Sequence, residues 1–420
     1  MIDLSVLSGL RVLVVGLGRE GAALAQFLVD HGLPVIATDQ KPLEKLGDVP
    51  SKLADAGVSL VLGSHPDSLL DQTDLLFVSP GVPLEIPFLE QARQRGLPLS
   101  TESRLFCHLC PASIVAITGS SGKTTTTTLV GKILQAAGYK TWVGGNIGRP
   151  LISIVEQIEP EDIVVMELSS FQLEYFHARL NQDADIAAIP ARTQRGLQVL
   201  LDSWSPPIAA MLNITPNHLD RHPSMKHYVW AKRALIDSQK KDDVLVMSLD
   251  NDMTRTIGHQ FRDRVRWFSL EARMPGGAGH QKDTLSFFDS NGHPTPIAAI
   301  HEIPLRGQHN ISNVLAACLL AREAGASLAA MRSVITGFEG VAHRLQHVRE
   351  LDQVIFFNDS ISTTPERVIA ALRSFDEPII LLAGGRDKHL PWTEAARLIQ
   401  ITARHVILFG EAAGVIEDAL

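Results

Sequence analysis

Cysteine is scarce. Three residues in 420 cannot build a disulfide framework, and a reducing cytoplasm is the compartment such a chain suits. Positive charge is in deficit: 38 Lys and Arg stand against 46 Asp and Glu, a net charge of −8. No basic surface therefore advertises nucleic acid or an anionic membrane, and any nucleotide ligand is expected to be a small molecule. Long hydrophobic runs are missing as well. No uninterrupted apolar stretch approaches the roughly 18 residues that suggest a membrane span, and Met1-Ile2-Asp3-Leu4 lacks the charged-then-apolar layout of a signal peptide. Repeats and low-complexity tracts are not evident. What remains is ordinary globular composition, 45% hydrophobic and 20% charged, which excludes wholesale disorder. At about 150 residues per domain the length predicts two to three domains. The expectation is a cytoplasmic, multi-domain protein.

Strand-like runs alternating with helical stretches predict an α/β fold with parallel sheets, in three blocks. The first, residues 1–108, places strands at Arg11–Val15, Pro34–Thr38, Val58–Leu62 and Asp74–Val78, with a helix running to His31. The second, 109–339, has strands at Ser113–Thr118, Ile163–Met166, Ile208–Ile214 and Val244–Ser248, then small β elements and loops over 249–305, then helices at Asn310–Gly325 and Leu328–Gly337. The third, 340–420, has strands at Val354–Asn358, Pro378–Ala383 and His405–Phe409, with a helix from Pro365.

Chemistry concentrates in a few loops. Thr118-Gly119-Ser120-Ser121-Gly122-Lys123-Thr124-Thr125 lies between a strand and a helix, where a phosphate cradle belongs. Glycines let backbone N–H groups close around phosphate oxygens, and the helix N-terminus adds positive potential. Lys123 would reach the β/γ-phosphates and the Thr124 hydroxyl would ligate Mg²⁺. The loop is a shorter variant of G-x-x-x-x-G-K-[ST], since Ile117 occupies the outer glycine position; the competing reading is an ordinary Gly/Ser turn. Gly16-Leu17-Gly18-Arg19-Glu20-Gly21 matches G-x-G-x-x-G, with Asp39 about 20 residues on. That pattern fits NAD or FAD, tight strand–helix packing, or a different diphosphate on the same N–H groups. Glu167 ends a predicted strand, where a carboxylate can hold Mg²⁺ or simply be solvated. Asn213–His222 offers His218 and Asp220 for metal or phosphate, although a single histidine is often structural. Lys232 reads locally as a surface lysine on a helix. Cys107-His108-Leu109-Cys110 has C-x-x-C spacing, but Cys318 is the only other cysteine and a four-ligand zinc site is unsupported.

The order of motifs is more specific than any one of them. Thr118–Thr125, Gly144-Gly145-Asn146-Ile147-Gly148, Glu167–Glu174, Asn213–Arg221, Gly307–Asn313, His343-Arg344, Asn358-Asp359-Ser360 and Gly384–Lys388 together resemble the Mur ligase family, and within it the glutamate-adding branch. The resemblance implies three domains: a Rossmann-like UDP-binding domain, a P-loop ATP-binding domain and a Rossmann-like amino-acid-binding domain. It implies ATP-dependent amide synthesis through an acyl phosphate in peptidoglycan precursor synthesis, with UDP-N-acetylmuramoyl-L-alanine and glutamate as substrates, two Mg²⁺ ions, and a monomer. Gly16, Gly18, Arg19, Gly21 and Asp39 would then hold the UDP diphosphate region with Ser79, Pro80 and Gly81 nearby. Gly119, Ser120, Ser121, Gly122, Lys123, Thr124 and Thr125 would cradle ATP, joined by Asn310, Asn313, Arg344 and Asp359. Thr124 and Glu167 would take the first Mg²⁺, His218 and a carbamate on Lys232 the second; Lys123, His218 and Lys232 would be the catalytic set. Asn146, Ser169 and Gln172 would line the sugar–peptide, and Lys388 would meet the amino acid.

Three departures from the family pattern stand out. Ile361 occupies the usual lysine position after Asn-Asp-Ser. Residues near Asn181–Ser205 look inserted, and Ala191–Ser203 match nothing recognisable. The chain stops at Leu420, short of the family's last strands, so an incomplete third domain is expected. Two alternatives stay open: another ligase of the superfamily resembling folylpolyglutamate synthase, and a nucleotide-binding protein without turnover.

Overall fold

The computed structural model describes residues 3–187 and 189–420. The first two residues of the leader reading, and Ala188 within the segment read as an insertion, lie outside the described residues. The chain forms two compact units, one of Met1–Lys123 with Gly138–Arg266, the other of Thr124–Ala137 with Trp267–Leu420.

The first unit holds two arrays of parallel strands. One has the order Ser59–Leu62, Val35–Asp39, Val12–Val15, Leu75–Val78, Leu99–Ser100. Its central strand, Val-Leu-Val-Val, is buried along its whole length, as a parallel strand covered on both faces must be. Chain order reverses between Val12–Val15 and Leu75–Val78, so the loops leaving these two strands diverge and open a crevice at their C-terminal ends. The other sheet contains, in order, Val244–Ser248, Ile208–Met211, Ser113–Thr118, Ile163–Glu167 and Thr141–Gly145, all parallel. Here too the central strand, Ser113–Thr118, sits at the reversal, flanked by Ile163–Glu167 and Ile208–Met211.

Differences from the sequence expectations are local. The strand from Ile208 stops at Met211, because the following residues turn across the phosphate loop: Leu212 N–H donates to Thr118 O. Asp252–Gly258 is a helix, its first turn capped by the Asn251 side chain. The unrecognised stretch also folds as a helix, Ala191–Leu201, burying Thr193, Leu197, Leu200 and Leu201. It packs on the N-terminal turn Ser5–Leu7, with Thr193 Oγ1 donating to Ser8 O at 3.0 Å, and the Asn181 side chain pairs both backbone groups of Leu99.

The second unit contains an antiparallel meander, Ala278–Gln281, Thr284–Phe288 and Pro294–Ala299, and the helices Gln308–Glu323 and Leu328–Ile335. Two further strand pairs follow. Gln346–Leu351 and Val354–Asn358 form a hairpin whose two turn residues, Asp352 and Gln353, have φ of +50° and +64°, matching the twist that two-residue hairpins favour. Ile379–Gly384 and Ala403–Phe409 pair in parallel, with the helix Thr393–Thr402 between them in the chain.

Candidate active site

The first glycine loop lies at the sheet reversal. Gly16 has φ +89°, and a Cβ on Gly21 would sit 2.0 Å from Gly16 O and 2.4 Å from Ser79 Oγ. No side chain fits there, so glycine is obligatory where the helix Arg19–Asp30 starts against its own strand. Ser79 Oγ donates to Gly16 O at 2.6 Å, joining the two diverging loops. Asp39 Oδ2 accepts from Leu17 N–H at 2.7 Å and Oδ1 from Lys41 N–H at 2.8 Å. This buried carboxylate fixes the loop, a different job from reaching a ribose hydroxyl. The Arg19 guanidinium donates to Gly148 O at 3.0 Å and Asn146 O at 3.1 Å, so the first glycine loop is tied to the Gly144–Gly148 turn.

The second loop leaves the buried strand Ser113–Thr118. Gly122 has φ +80°, and the helix Lys123–Ala136 opens on the lysine, with Thr124 and Thr125 in its first turn. Lys123 Nζ folds back to donate to Gly119 O at 2.9 Å. Asn213, two residues past the neighbouring strand, fastens the loop: its Oδ1 accepts from Ser121 N–H at 2.9 Å, while Ser120 Oγ meets Thr215 O at 3.0 Å and Tyr228 OH at 2.9 Å.

Lys232 overturns its surface reading. It is 1% exposed, and its Nζ donates to Gly119 O at 2.9 Å and Thr118 Oγ1 at 3.2 Å. Burial, then the nearby charge of Lys123, pushes its basicity well below that of a free lysine, with Glu167 opposing. Two lysines thus converge on one carbonyl at the root of the loop. Glu167 closes the adjacent strand and is buried, not solvated; its Oε1 accepts from Asn146 Nδ2 at 2.9 Å. The exposed Asn146 is therefore tied to Glu167 by its side chain.

His218 is exposed, with φ +56°, a backbone state uncommon outside glycine and seen at functional sites. Its carbonyl accepts from Arg221 and His222 N–H, and Phe171 packs edge-on at 5.0 Å. Arg221 ties this turn to Val82 O at 2.9 Å and Glu85 at 3.2 Å. Asp220 is exposed.

Ser169 caps the short helix Ser170–Leu173 in a reciprocal box with Gln172. Gln172, expected to line the substrate, is fully buried. Its Nε2 donates to Glu20 Oε1 at 2.9 Å and Ser103 Oγ at 3.1 Å, because the turn it caps packs inward. Ser103 also reaches Glu102 Oε2 at 3.1 Å, and Glu102 Oε1 accepts from Ile152 N–H at 3.0 Å. Burial, reinforced by Glu20, raises the Glu102 carboxyl to about 8; Glu20 is raised too, chiefly by burial. Through Ser103 and Gln172 these two carboxyls link the helix of the first glycine loop, the Gln172 turn and the segment after the Gly144–Gly148 turn.

In the second unit, Asn310 Nδ2 donates to Arg306 O at 2.8 Å and Asn313 Nδ2 to Asn310 Oδ1 at 3.2 Å. Asp359 Oδ1 accepts from Leu345 N–H at 3.0 Å, next to the half-buried Arg344. Lys388 Nζ donates to Thr363 Oγ1 at 3.0 Å. Ile361 is 40% exposed. Cys107 and Cys110 thiols are both held protonated by burial, Cys110 to about 11.

Sequence reasoning missed Asn213 and Tyr228, which brace the phosphate loop, and Glu20, Glu102 and Ser103, which connect the loops. Tyr228, Ala231, Lys232 and Leu235 are the buried stripe of the helix Met225–Asp237. Their helical spacing was the available sign that Lys232 faces inward.

Comparisons with known proteins bear on the same elements. Residues 117–321 match the Mur ligase middle domain and residues 10–101 the Mur ligase MurD-like N-terminal domain. A protein of Symbiobacterium thermophilum named UDP-N-acetylmuramoylalanine–D-glutamate ligase is 43% identical over 412 residues, covering 98% of this chain and 85% of the relative. One of the same name from Clostridium novyi is 39% identical, covering 97% and 82%. Among solved structures, the UDP-N-acetylmuramate–alanine ligase MurC of Thermotoga maritima superposes with a TM-score of 0.59 at 18% identity, over 98% of this chain and 88% of that one. The MurF ligase of the same organism, solved with ADP, gives 0.55 at 14% identity, over 99% and 91%. At these identities the structures speak to fold alone.

Proposed function

The chain belongs to the Mur ligase family, and from that premise we propose that it joins D-glutamate to UDP-N-acetylmuramoyl-L-alanine with ATP, in the cytoplasm. The observation that carries the reading is the pairing of two phosphate loops, each at a sheet reversal, with Lys123 and Lys232 converging on Gly119 O beside the second. A fold with only the first loop would suit a dinucleotide; the second supplies a triphosphate site.

The reaction follows from charge. The substrate carboxylate attacks the γ-phosphorus, and the bond to ADP breaks, giving an acyl phosphate. The glutamate amine then attacks the acyl carbon; the amide forms, and phosphate and a proton leave. Carboxylate and triphosphate repel, so cations must stand where negative charge develops. Lys123, freed from Gly119 O, reaches the β/γ-phosphates. The donor types suit a hard dication: a buried Glu167 carboxylate at a strand end and the exposed His218, with the Thr124 hydroxyl added by the family resemblance. Mg²⁺ held there would supply further positive charge at the phosphates. Lys232, with depressed basicity, is suited to react as a neutral amine with CO₂: an N–C bond forms, a proton leaves, and the resulting carbamate is an oxygen ligand.

Binding follows the same logic. Gly16, Gly18, Gly21 and Arg19, with Ser79–Gly81, take the UDP diphosphate, while Asp39 holds the loop in shape. Ser169 and Asn146 face the sugar–peptide; Gln172 positions Ser169, and Glu167 holds Asn146. Asn310, Asn313, Arg344 and Asp359 serve the nucleotide. Lys388 gives the incoming carboxylate a cation that Ile361 cannot. No helix among the described residues is long and apolar enough to cross a membrane.

Phosphate release with UDP-N-acetylmuramoyl-L-alanine and ATP tests this. Release is expected with D-glutamate, and not with L-glutamate or without amino acid. Tight binding of ATP and UDP substrate without release under any condition would sink the ligase reading and leave a nucleotide-binding protein.

A further inference from the structure

Outside the residues assigned above to the two glycine loops, three ligating side chains converge in the first unit. Glu174 follows the helix Ser170–Leu173, His222 lies four residues after His218, and His227 stands in the first turn of Met225–Asp237. Glu174 Oε1 is 3.0 Å from His222 Nδ1 and 3.8 Å from His227 Nδ1, and the two Nδ1 atoms are 3.1 Å apart. Glu174 and His222 are buried; His227 keeps 28% of its side chain exposed.

We propose that this triangle binds a transition-metal dication of the zinc class, through Glu174 Oε1, His222 Nδ1 and His227 Nδ1, with a fourth position open to solvent beside His227. Hydrogen bonds can join these atoms only along the two edges at His222, because the Glu174–His227 edge is 3.8 Å. If His222 Nδ1 carries a proton and donates to Glu174, His227 Nδ1 is left with a lone pair against the carboxylate or an N–H against an N–H. If His222 instead accepts from His227, its lone pair faces Glu174 Oε1 at 3.0 Å. At most the two short edges can be hydrogen bonds, and both must share the single Nδ1 of His222, whereas a cation at the centre would engage all three atoms. With bonds of about 2.0–2.2 Å a tetrahedral ion sets its ligands roughly 3.3–3.6 Å apart, a span the three observed edges bracket.

Two independent features point the same way. Glu174 Oε2 is buried with no hydrogen-bond partner, a costly state for a carboxylate oxygen that a neighbouring dication would offset. His222 Nε2 lies 2.9 Å from Ser170 Oγ; donation there leaves Nδ1 as the lone-pair nitrogen, the outer contact that metal-binding histidines make. The rings are held by their surroundings: Phe171 stacks on His222 at 5.3 Å, Tyr228 flanks it at 5.1 Å, and Trp230 flanks His227 at 5.0 Å. Two imidazoles and one carboxylate suit zinc better than magnesium, which takes oxygen ligands. Such an ion would clamp the Ser169–Glu174 turn to the segment bearing His218 and the helix bearing Lys232. Any effect on ligation rests on the function proposed above; binding does not.

The test uses the whole chain, stripped with chelator and dialysed against Zn²⁺ in excess Mg²⁺, with Co²⁺ as a spectroscopic probe. One Zn²⁺ per chain is expected, with four-coordinate Co²⁺ absorption bands. His227→Ala, at a partly exposed position, should weaken Zn²⁺ at least about 100-fold and abolish the rise in Tm that Zn²⁺ gives the parent; Glu174→Gln should do likewise, while Glu167→Gln keeps the ion. The proposal is overturned if no ion remains under excess Mg²⁺, if His227→Ala binds as the parent does, or if Glu167→Gln alone loses the ion, which would put it at the nucleotide site.

Discussion

Two pairs of parallel strands look alike in sequence and are treated very differently by the fold. Ser113–Thr118 with Ile163–Glu167, and Ile379–Gly384 with Ala403–Phe409, are all apolar runs ending near glycine, serine or glutamate. The first pair sits inside a larger parallel array, and Val115, Ile117, Val165 and Met166 have no exposed surface. The second pairs only with itself. One of its faces meets Ala412 and Ile416, while Ile380, Leu382, Ile407 and Phe409 are each more than half exposed. Apolar content is thus a weak guide to burial; the number of paired neighbours and covered faces decides. The residues proposed for phosphate chemistry lie at the ends of the strands with both faces closed, where a lysine or carboxylate can be desolvated and its charge state tuned.

The largest test of that contrast is chemical. Lys123→Ala and Glu167→Ala should each lower kcat by about 10³-fold or more, since each removes charge stabilisation worth several kcal/mol. Titration calorimetry should find UDP-substrate affinity little changed in Lys123→Ala, because the first glycine loop is built from other strands. Loss of that affinity in a folded Lys123→Ala protein would break the two-site assignment. Near-parent rates would return both residues to structural roles.

Next in size is packing. Ile117→Ala, beneath the phosphate loop, should cost about 2–5 kcal/mol in urea unfolding, the usual range for an emptied core site. A cost under about 1 kcal/mol would mean that this sheet is looser than its burial implies.

A third test uses pH. The Glu102 carboxyl titrates near 8 in the folded protein against an ordinary 4.5. Between those values the folded chain keeps a proton that the unfolded chain has shed, so stability falls as pH rises through the window and the loss is complete above it. Glu20 is raised as well and adds a slope of the same sign. Glu102→Gln imitates the protonated acid. It should flatten the decline from about pH 5 to 8 and leave the variant about 1–3 kcal/mol more stable than the parent above pH 8. An unchanged slope in chemical denaturation would show that Glu102 is ionised in the fold.

What the sequence could tell tracked how local each feature is. Both glycine loops were legible because a strand, a turn and a helix start are consecutive in the chain. The Lys232 reading failed because Trp230-Ala231-Lys232-Arg233 looks solvated over four residues, although the stripe over the whole helix does not. Residues 191–201 carried a helical pattern in Thr193, Leu197, Leu200 and Leu201 that a family comparison obscured. The Glu20–Glu102 pair and the Glu174–His222–His227 triangle join residues 82 and 53 apart at their widest, and no spacing rule connects them. Exposure of the Ile379–Gly384 pair was equally hidden, since nothing in an apolar run states how many strands lie beside it.

The smallest predicted effect is therefore the sharpest check on the opening contrast. Leu382 is 64% exposed in the middle of its strand, and its partner on that strand's neighbour, Ile407, is 53% exposed. Leu382→Thr keeps a residue that suits strands and removes apolar surface that already faces water. It should change unfolding free energy by no more than about 0.5 kcal/mol, as surface substitutions do, against the several expected for Ile117→Ala. Hydrogen exchange should agree: residues 379–409 should exchange faster than 113–167, because a two-strand ladder with one open face opens at lower cost. A Leu382→Thr penalty comparable to that of Ile117→Ala, with equal protection in both segments, would mean that the outer face of this pair is covered in solution and that the two regions are alike after all.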